Sequence, residues 1–109
     1  MFTVEFSPKA DKQVLKLEKS VRKAIIDYAE KMRNSKTIKD LYEIGGTELV
    51  GNLKGLWRFK NKEFRDYRLI AYISENKIII TILAVEGRNE SYKNKEGFAK
   101  KARKGTFEK

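Results

Sequence analysis

Residues 67–85 read YRLIAYISENKIIITILAV, and this run decides the fold. From Tyr67 to Ser74 the side chains separate by twos. Tyr67, Leu69, Ala71 and Ile73 fall on one face, and Arg68, Ile70 and Tyr72 on the other, the alternation of a pleated strand. Lys77 to Val85 is apolar on both faces, so it reads as a central strand covered on both sides. Glu75-Asn76 is a candidate two-residue hairpin turn between the two, and Gly87 ends the second strand. Upstream, Leu56 to Lys60 alternates too, with Trp57 and Phe59 on one face and Arg58 and Lys60 on the other. Asn61 to Asp66 reads as a charged turn. The second half is therefore three antiparallel strands.

Outward toward the N-terminus, Phe2, Val4 and Phe6 alternate with polar residues in a short half-buried strand. Ser7-Pro8 then starts a helix, Ser as N-cap and Pro at the first helical position. Apolar residues at 10, 14, 17, 21, 25, 28 and 32 make one stripe facing a core. Ser20 is expected to cap a second helix from about Val21 to Met32, giving an antiparallel helix hairpin. Asn34 to Lys39 reads as a turn. Asp40 to Gly55, with four glycines, reads as a loop holding at most a short helix or strand. Toward the C-terminus, Lys93 to Lys109 reads as a basic helix around Phe98 and Ala99 that then frays. The expected fold class is α+β in a single domain, 1–109: an N-terminal strand, a two-helix hairpin, three or more antiparallel strands in a twisted sheet, and a short C-terminal basic helix. With helices on one sheet face, the other is left for solvent or function.

Composition narrows the chemistry. The chain has neither Cys nor His, which excludes disulfides, cysteine nucleophiles, His-based triads and His or thiolate metal centres. No apolar run approaches the roughly 20 residues of a membrane span, and Met1 to Phe6 alternates where a signal peptide would be continuously apolar. A cytoplasmic location with no membrane partner is expected. The 25 Lys and Arg against 15 Asp and Glu give a net charge of +10, which favours a polyanionic partner. The excess gathers in residues 52–72 and 93–109. Arg58 and Lys60 share a strand face and Arg68 can join them. Like charges this close are mutually costly unless an anion bridges them, and a phosphate backbone is such an anion.

Several motifs resemble one family along nearly the whole chain. They are Val4-Glu5-Phe6-Ser7-Pro8-Lys9-Ala10, Leu15-Lys16-Leu17, Val21-Arg22-Lys23-Ala24-Ile25-Ile26, Asn52-Leu53-Lys54-Gly55-Leu56-Trp57-Arg58-Phe59, Asp66-Tyr67-Arg68-Leu69-Ile70 and Val85-Glu86-Gly87-Arg88-Asn89-Glu90-Ser91-Tyr92. In this order and spacing they resemble the RelE/ParE toxin superfamily of type II toxin–antitoxin systems. The resemblance to RelE-like members implies a ribosome-dependent, metal-independent mRNA endoribonuclease that blocks translation, with no cofactor. The 2′-OH attacks the adjacent phosphate and leaves a 2′,3′-cyclic phosphate. The implied partners are a cognate antitoxin protein, the ribosome and mRNA. Other branches inhibit DNA gyrase and are not nucleases, and a non-catalytic RNA- or ribosome-binding module is a third possibility.

The resemblance also implies roles. Arg68 binds phosphate and stabilises transition-state charge; the structural alternative is a pair with Asp66 or Glu63. Arg88 clamps phosphate; its alternative is a pair with Glu86 or Glu90. Lys60 is the general-base candidate, because clustered cations disfavour one another's charge. Arg58 does not deprotonate and only binds phosphate. Tyr92 stacks on a base or positions a proton; its alternative closes the edge of the core. Lys54, Lys62 and Arg65 extend the RNA- and phosphate-binding set. Glu48 is a second candidate base, matching a carboxylate found in one branch. Trp57 and Phe59 read as core. The chain departs from the family pattern in two places: Glu86 stands before Gly87 where some branches have a His nearby, and Asn61 to Asp66 is about one residue longer, which loosens the register of Lys60.

Overall fold

Ser7 ties the helices to the sheet. Its backbone N–H donates to the Ile82 carbonyl at 2.8 Å, and its hydroxyl donates to the Leu83 carbonyl at 2.9 Å. The same oxygen accepts from the Ala10 N–H at 3.1 Å, so Ser7 N-caps the first helix, with Pro8 in its first turn. A computed structural model describes residues 1–64, 66–87 and 92–105, for 92–96 and 103 the backbone alone. The elements are β1 (Thr3–Phe6), α1 (Pro8–Leu15), α2 (Lys19–Asn34), α3 (Ile38–Glu43), β2 (Gly46–Glu48), β3 (Leu56–Phe59), β4 (Arg68–Ser74), β5 (Ile79–Glu86) and α4 (Tyr92–Arg103). The sheet order is β1-β5-β4-β3-β2, with β1 parallel to β5 and the other pairs antiparallel. The α+β class expected from the sequence is what the chain forms.

One sheet face packs on the helix hairpin. Trp57, Phe59, Leu69, Ala71, Ile80, Ile82 and Val85 meet Ala10, Val14, Ile25, Tyr28 and Met32. These are the inward positions of both periodicities, two in the strands and 3.6 in the helices. The second face, expected to be left for solvent or function, is covered over part of its length. Leu56, Ile70, Leu83 and Ala84 form a second apolar cluster with Leu53 and with Ala99 of α4. Each well-buried aliphatic side chain contributes about 1.5–3 kcal/mol, reason enough for α4 to lie there. A bulge makes this cluster. Ala84 faces Ile70 and Ile82 faces Ala71, so Leu83 is an extra residue in β5, and Leu83 and Ala84 both join the second cluster. Past the bulge β5 has outrun β1, which ends at Phe6 opposite Ile82. Side chains of the helix start take over there: Ser7 holds the Leu83 carbonyl, and Gln13 Oε1 accepts from the Val85 N–H at 2.7 Å.

Three local readings are corrected. Ser20 is not a cap: α2 begins at Lys19 behind an extended Glu18 that makes no side-chain capping bond. Glu18 sets a negative charge at the positive end of the helix dipole instead. The β4–β5 turn has four residues, since Ser74 pairs with Ile79. Its last residue, Ile78, is held at φ 57°, a region β-branched residues avoid. The 40–55 loop is largely structured. Thr37 and Asp40 form a capping box for α3, and Gly45-Gly46 lets β2 close on β3. A Cβ on Gly45, itself at φ 112°, would stand 2.3 Å from the Lys60 carbonyl oxygen, and one on Gly46 2.7 Å from the Phe59 ring.

Tyr28 locks this corner. Its hydroxyl donates to the Ile44 carbonyl at 2.6 Å, and its ring meets Phe64 and Phe59 edge-on. Burial pushes its phenol well above the ordinary value near 10. Tyr28→Phe is expected to cost about 1–3 kcal/mol in urea denaturation, the range for an orphaned buried hydrogen-bonding group. Its raised pKa favours the fold by an amount constant below the unfolded phenol's pKa and lost as pH rises above it. The gap between wild type and Tyr28→Phe should therefore narrow above about pH 10. For the bulge, Gln13→Ala is expected to speed hydrogen exchange at the Val85 amide while the β4-paired amides keep their protection.

Candidate nucleic-acid interface

The sheet register builds a polar row at one end of the second face. Arg68 and Glu86 are direct cross-strand partners. Arg58 is the partner of Ile70, two positions along β4 from Arg68 and on the same face. Phe59 pairs with Leu69, so one further step brings Lys60 level with Arg68. The three cations named from alternation thus come together at the end of the face that the second apolar cluster leaves open. Arg58 and Arg68 are half-buried and Lys60 is exposed. The Nε atoms of Arg58 and Arg68 are buried and find no acceptor among the described residues. Glu86 is only 3% exposed.

The sequence missed Glu86 as a member of this row. Its neighbours in sequence suggested Arg88 or a lost histidine; strand register places it across from Arg68. The signal was the alternation of β5, obscured by a bulge that shifts its phase by one.

Glu48 does not join the row. Its cross-strand partner is Trp57, while Thr47 is the partner of Arg58. It therefore lies on the helix-bearing face, in a cleft with Trp57, Tyr72, Glu75 and Asn76 beyond the far end of β4. A two-residue period assigns Glu48 to that face once β2 is known to be a strand. Lys54 is exposed and closes a 3-10 turn at Gly51–Leu53, whose Leu53 packs with α4. Lys62 is exposed in a second 3-10 turn, Lys62–Phe64, anchored by the buried Phe64. Tyr92 is the first residue of α4, and its side chain lies outside the described residues, as do Arg65 and Arg88.

This row can do two things. Guanidiniums bind phosphate oxygens through paired donors, and an adjacent ammonium adds a point charge. Together they suit an anion whose charge grows during reaction.

A family model described as the ParE toxin of the type II toxin–antitoxin system, parDE, matches residues 4–92. The chain belongs to this family, within the RelE/ParE superfamily. It is a toxin of a type II toxin–antitoxin system. Solved structures share the toxin's fold. The toxin–antitoxin complex RelBE2 from Mycobacterium tuberculosis is similar at TM-score 0.63 and 23% identity, covering 80% of this chain and 98% of that one. The archaeal RelE–RelB complex from Pyrococcus horikoshii is similar at TM-score 0.64 and 18% identity, covering 83% and 98%. The isolated E. coli RelE toxin is similar at TM-score 0.60 and 18% identity, covering 92% and 98%. No curated protein sequence matches the toxin. No helix among the described residues is long and apolar enough to cross a membrane.

If the row meets a phosphate backbone, single-stranded RNA binding should weaken steeply with salt. Arg58→Ala, Lys60→Ala and Arg68→Ala should each flatten the plot of log K against log salt by about 0.7 per lost phosphate contact. An unchanged slope removes that side chain from the interface.

Proposed function

We propose that this toxin is a ribosome-dependent, metal-independent mRNA endoribonuclease that stops translation and is held in check by a cognate antitoxin. The observation that carries the reading is the Arg58, Lys60 and Arg68 row on one sheet face. Cleavage by the neighbouring 2′-OH needs no external nucleophile and no metal. It needs a base for the 2′-OH proton, positive charge around the phosphorane, and a proton for the departing 5′-oxygen. Arg68 and Arg58 take the non-bridging phosphate oxygens. Lys60, exposed beside them, is the candidate base. Arg88 and Tyr92 remain proposals, as second clamp and as stacking or proton-donating group. The ribosome would supply what 109 residues do not, an mRNA strand held in a reactive conformation. Lys54, Lys62 and Arg65 add charge for that encounter.

A second reading has its own support. The family model is described for ParE, and ParE-like branches inhibit DNA gyrase without nuclease chemistry. In that case the basic row serves protein or DNA contact alone.

One experiment separates them: toxin added to a reconstituted translation system, with mRNA ends mapped by primer extension. Cuts are expected only with ribosomes. Arg68→Ala should fold and lower the cutting rate by about 100- to 1,000-fold, the loss typical of one oxyanion donor. Intact mRNA with normal translation, together with blocked gyrase supercoiling, gives the second reading.

A further inference from the structure

We infer that Tyr28 is a positioning residue for Lys60, fixing the lysine's backbone from the helix-bearing face and so keeping it level with Arg68 at the end of the basic row. The inference rests on reading Lys60 as part of the reacting row. Lys60 is exposed, so its own side chain does not anchor it. The residues that bracket it do. Phe59 ends β3, Phe64 ends the 3-10 turn that follows, and both are fully buried. Tyr28 of α2 meets both edge-on, with ring centroids 6.0 Å apart for Phe59 and 5.2 Å for Phe64. Its hydroxyl reaches a third point. It donates to the Ile44 carbonyl at 2.6 Å, and the carbonyl of the next residue, Gly45, accepts from the Lys60 N–H at 3.3 Å. Gly45 also lies so close to the Lys60 carbonyl that no Cβ fits between them. Inside the bracket, Asn61 closes the turn: its Oδ1 accepts from the Glu63 N–H at 2.9 Å and its carbonyl from the Phe64 N–H at 3.2 Å. A phenylalanine at 28 would make the same ring contacts without the cost of enclosing a hydroxyl. What the hydroxyl adds is the tie to Ile44, beside the glycine that clamps Lys60. Tyr28 is itself buried, so it acts on a substrate only through the residues it holds.

A residue that only stabilises the fold lowers the fraction of folded toxin and leaves each folded molecule at the wild-type rate. A positioning residue slows the folded molecules, and only while Lys60 is there to be misplaced. Tyr28→Phe is therefore measured alone and in a Lys60→Ala background, as a double-mutant cycle. Cutting rates are taken on programmed ribosomes, per folded molecule. We expect Tyr28→Phe to cut about 10- to 100-fold more slowly at saturating ribosomes, the scale of a 1 Å misplacement, with an unchanged half-saturation point. In the Lys60→Ala background the same change should slow cutting no further. Amide hydrogen exchange supplies a signature independent of cutting. The Lys60 amide should exchange faster in Tyr28→Phe by more than the amides between β4 and β5, whose shared increase reports global stability. A wild-type rate per folded molecule overturns the inference, as does an equal loss in both backgrounds or a Lys60 amide that changes only in step with the sheet. If the wild type does not cut, or Lys60→Ala cuts as well as it does, the reading of the row fails separately, and the Lys60 amide alone decides whether Tyr28 holds this residue. If Tyr28→Phe does not fold, Phe64→Leu removes one ring of the bracket and leaves the hydroxyl bond in place. A rate loss in it that vanishes with Lys60→Ala supports the inference, and a wild-type rate overturns it.

Discussion

A strand that is apolar on both faces has to be covered on both. β5 is that strand, and the architecture follows from satisfying it. The α1–α2 hairpin covers one face and α4 the other, while β1 and β4 take its two edges. Among the described residues the apolar cover on the second face ends at Leu83 and Ala84, and beyond it the register turns polar, with Glu86 across from Arg68. The candidate site is thus the unfinished end of a hydrophobic layer. Charges gather where the apolar cover runs out, beside a low-dielectric wall that strengthens their field.

The bulge at Leu83 connects packing to chemistry. Without it, Glu86 would turn to the hairpin face, into the apolar core. The extra residue sends two successive side chains into the second cluster and sets Glu86 on that face, across from Arg68. The edge it disturbs is repaired by Ser7 and Gln13, so residues at the start of α1 stabilise the geometry at the end of β5. A change far from the basic row can therefore disturb it.

Much of this was legible from residue spacing. The stripe from Ala10 to Met32, the Ser7 cap and the two faces of β3 and β4 follow from periods of 3.6 and two, because single elements write those periods directly. What stayed hidden depends on two elements at once. β2 is three residues long with two glycines just before and at its start, so it carries no alternation to read; its place comes from the close approach to Phe59 and Lys60. The four-residue β4–β5 turn hides because Ile78, a strand former, takes a left-handed conformation. Glu48 and Glu86 exchanged standing for the same reason. Sequence neighbours do not reveal which cross-strand residue a side chain meets, and a bulge reverses the parity by which one would guess.

The parallel pairing of β1 with β5 bears on how the toxin comes into being. The Ser7 hydroxyl and the Leu83 carbonyl are 76 residues apart in sequence, so the first strand made waits for nearly the last. Contacts of this separation carry a large loop-closure entropy and tend to slow folding. On a translating ribosome, β1 stays without its partner until residue 82 has left the exit tunnel. Until then the β1 edge of the sheet cannot be assembled. The connectivity places this closure late, because the β1 edge of the sheet forms only once β5 is available to pair with it.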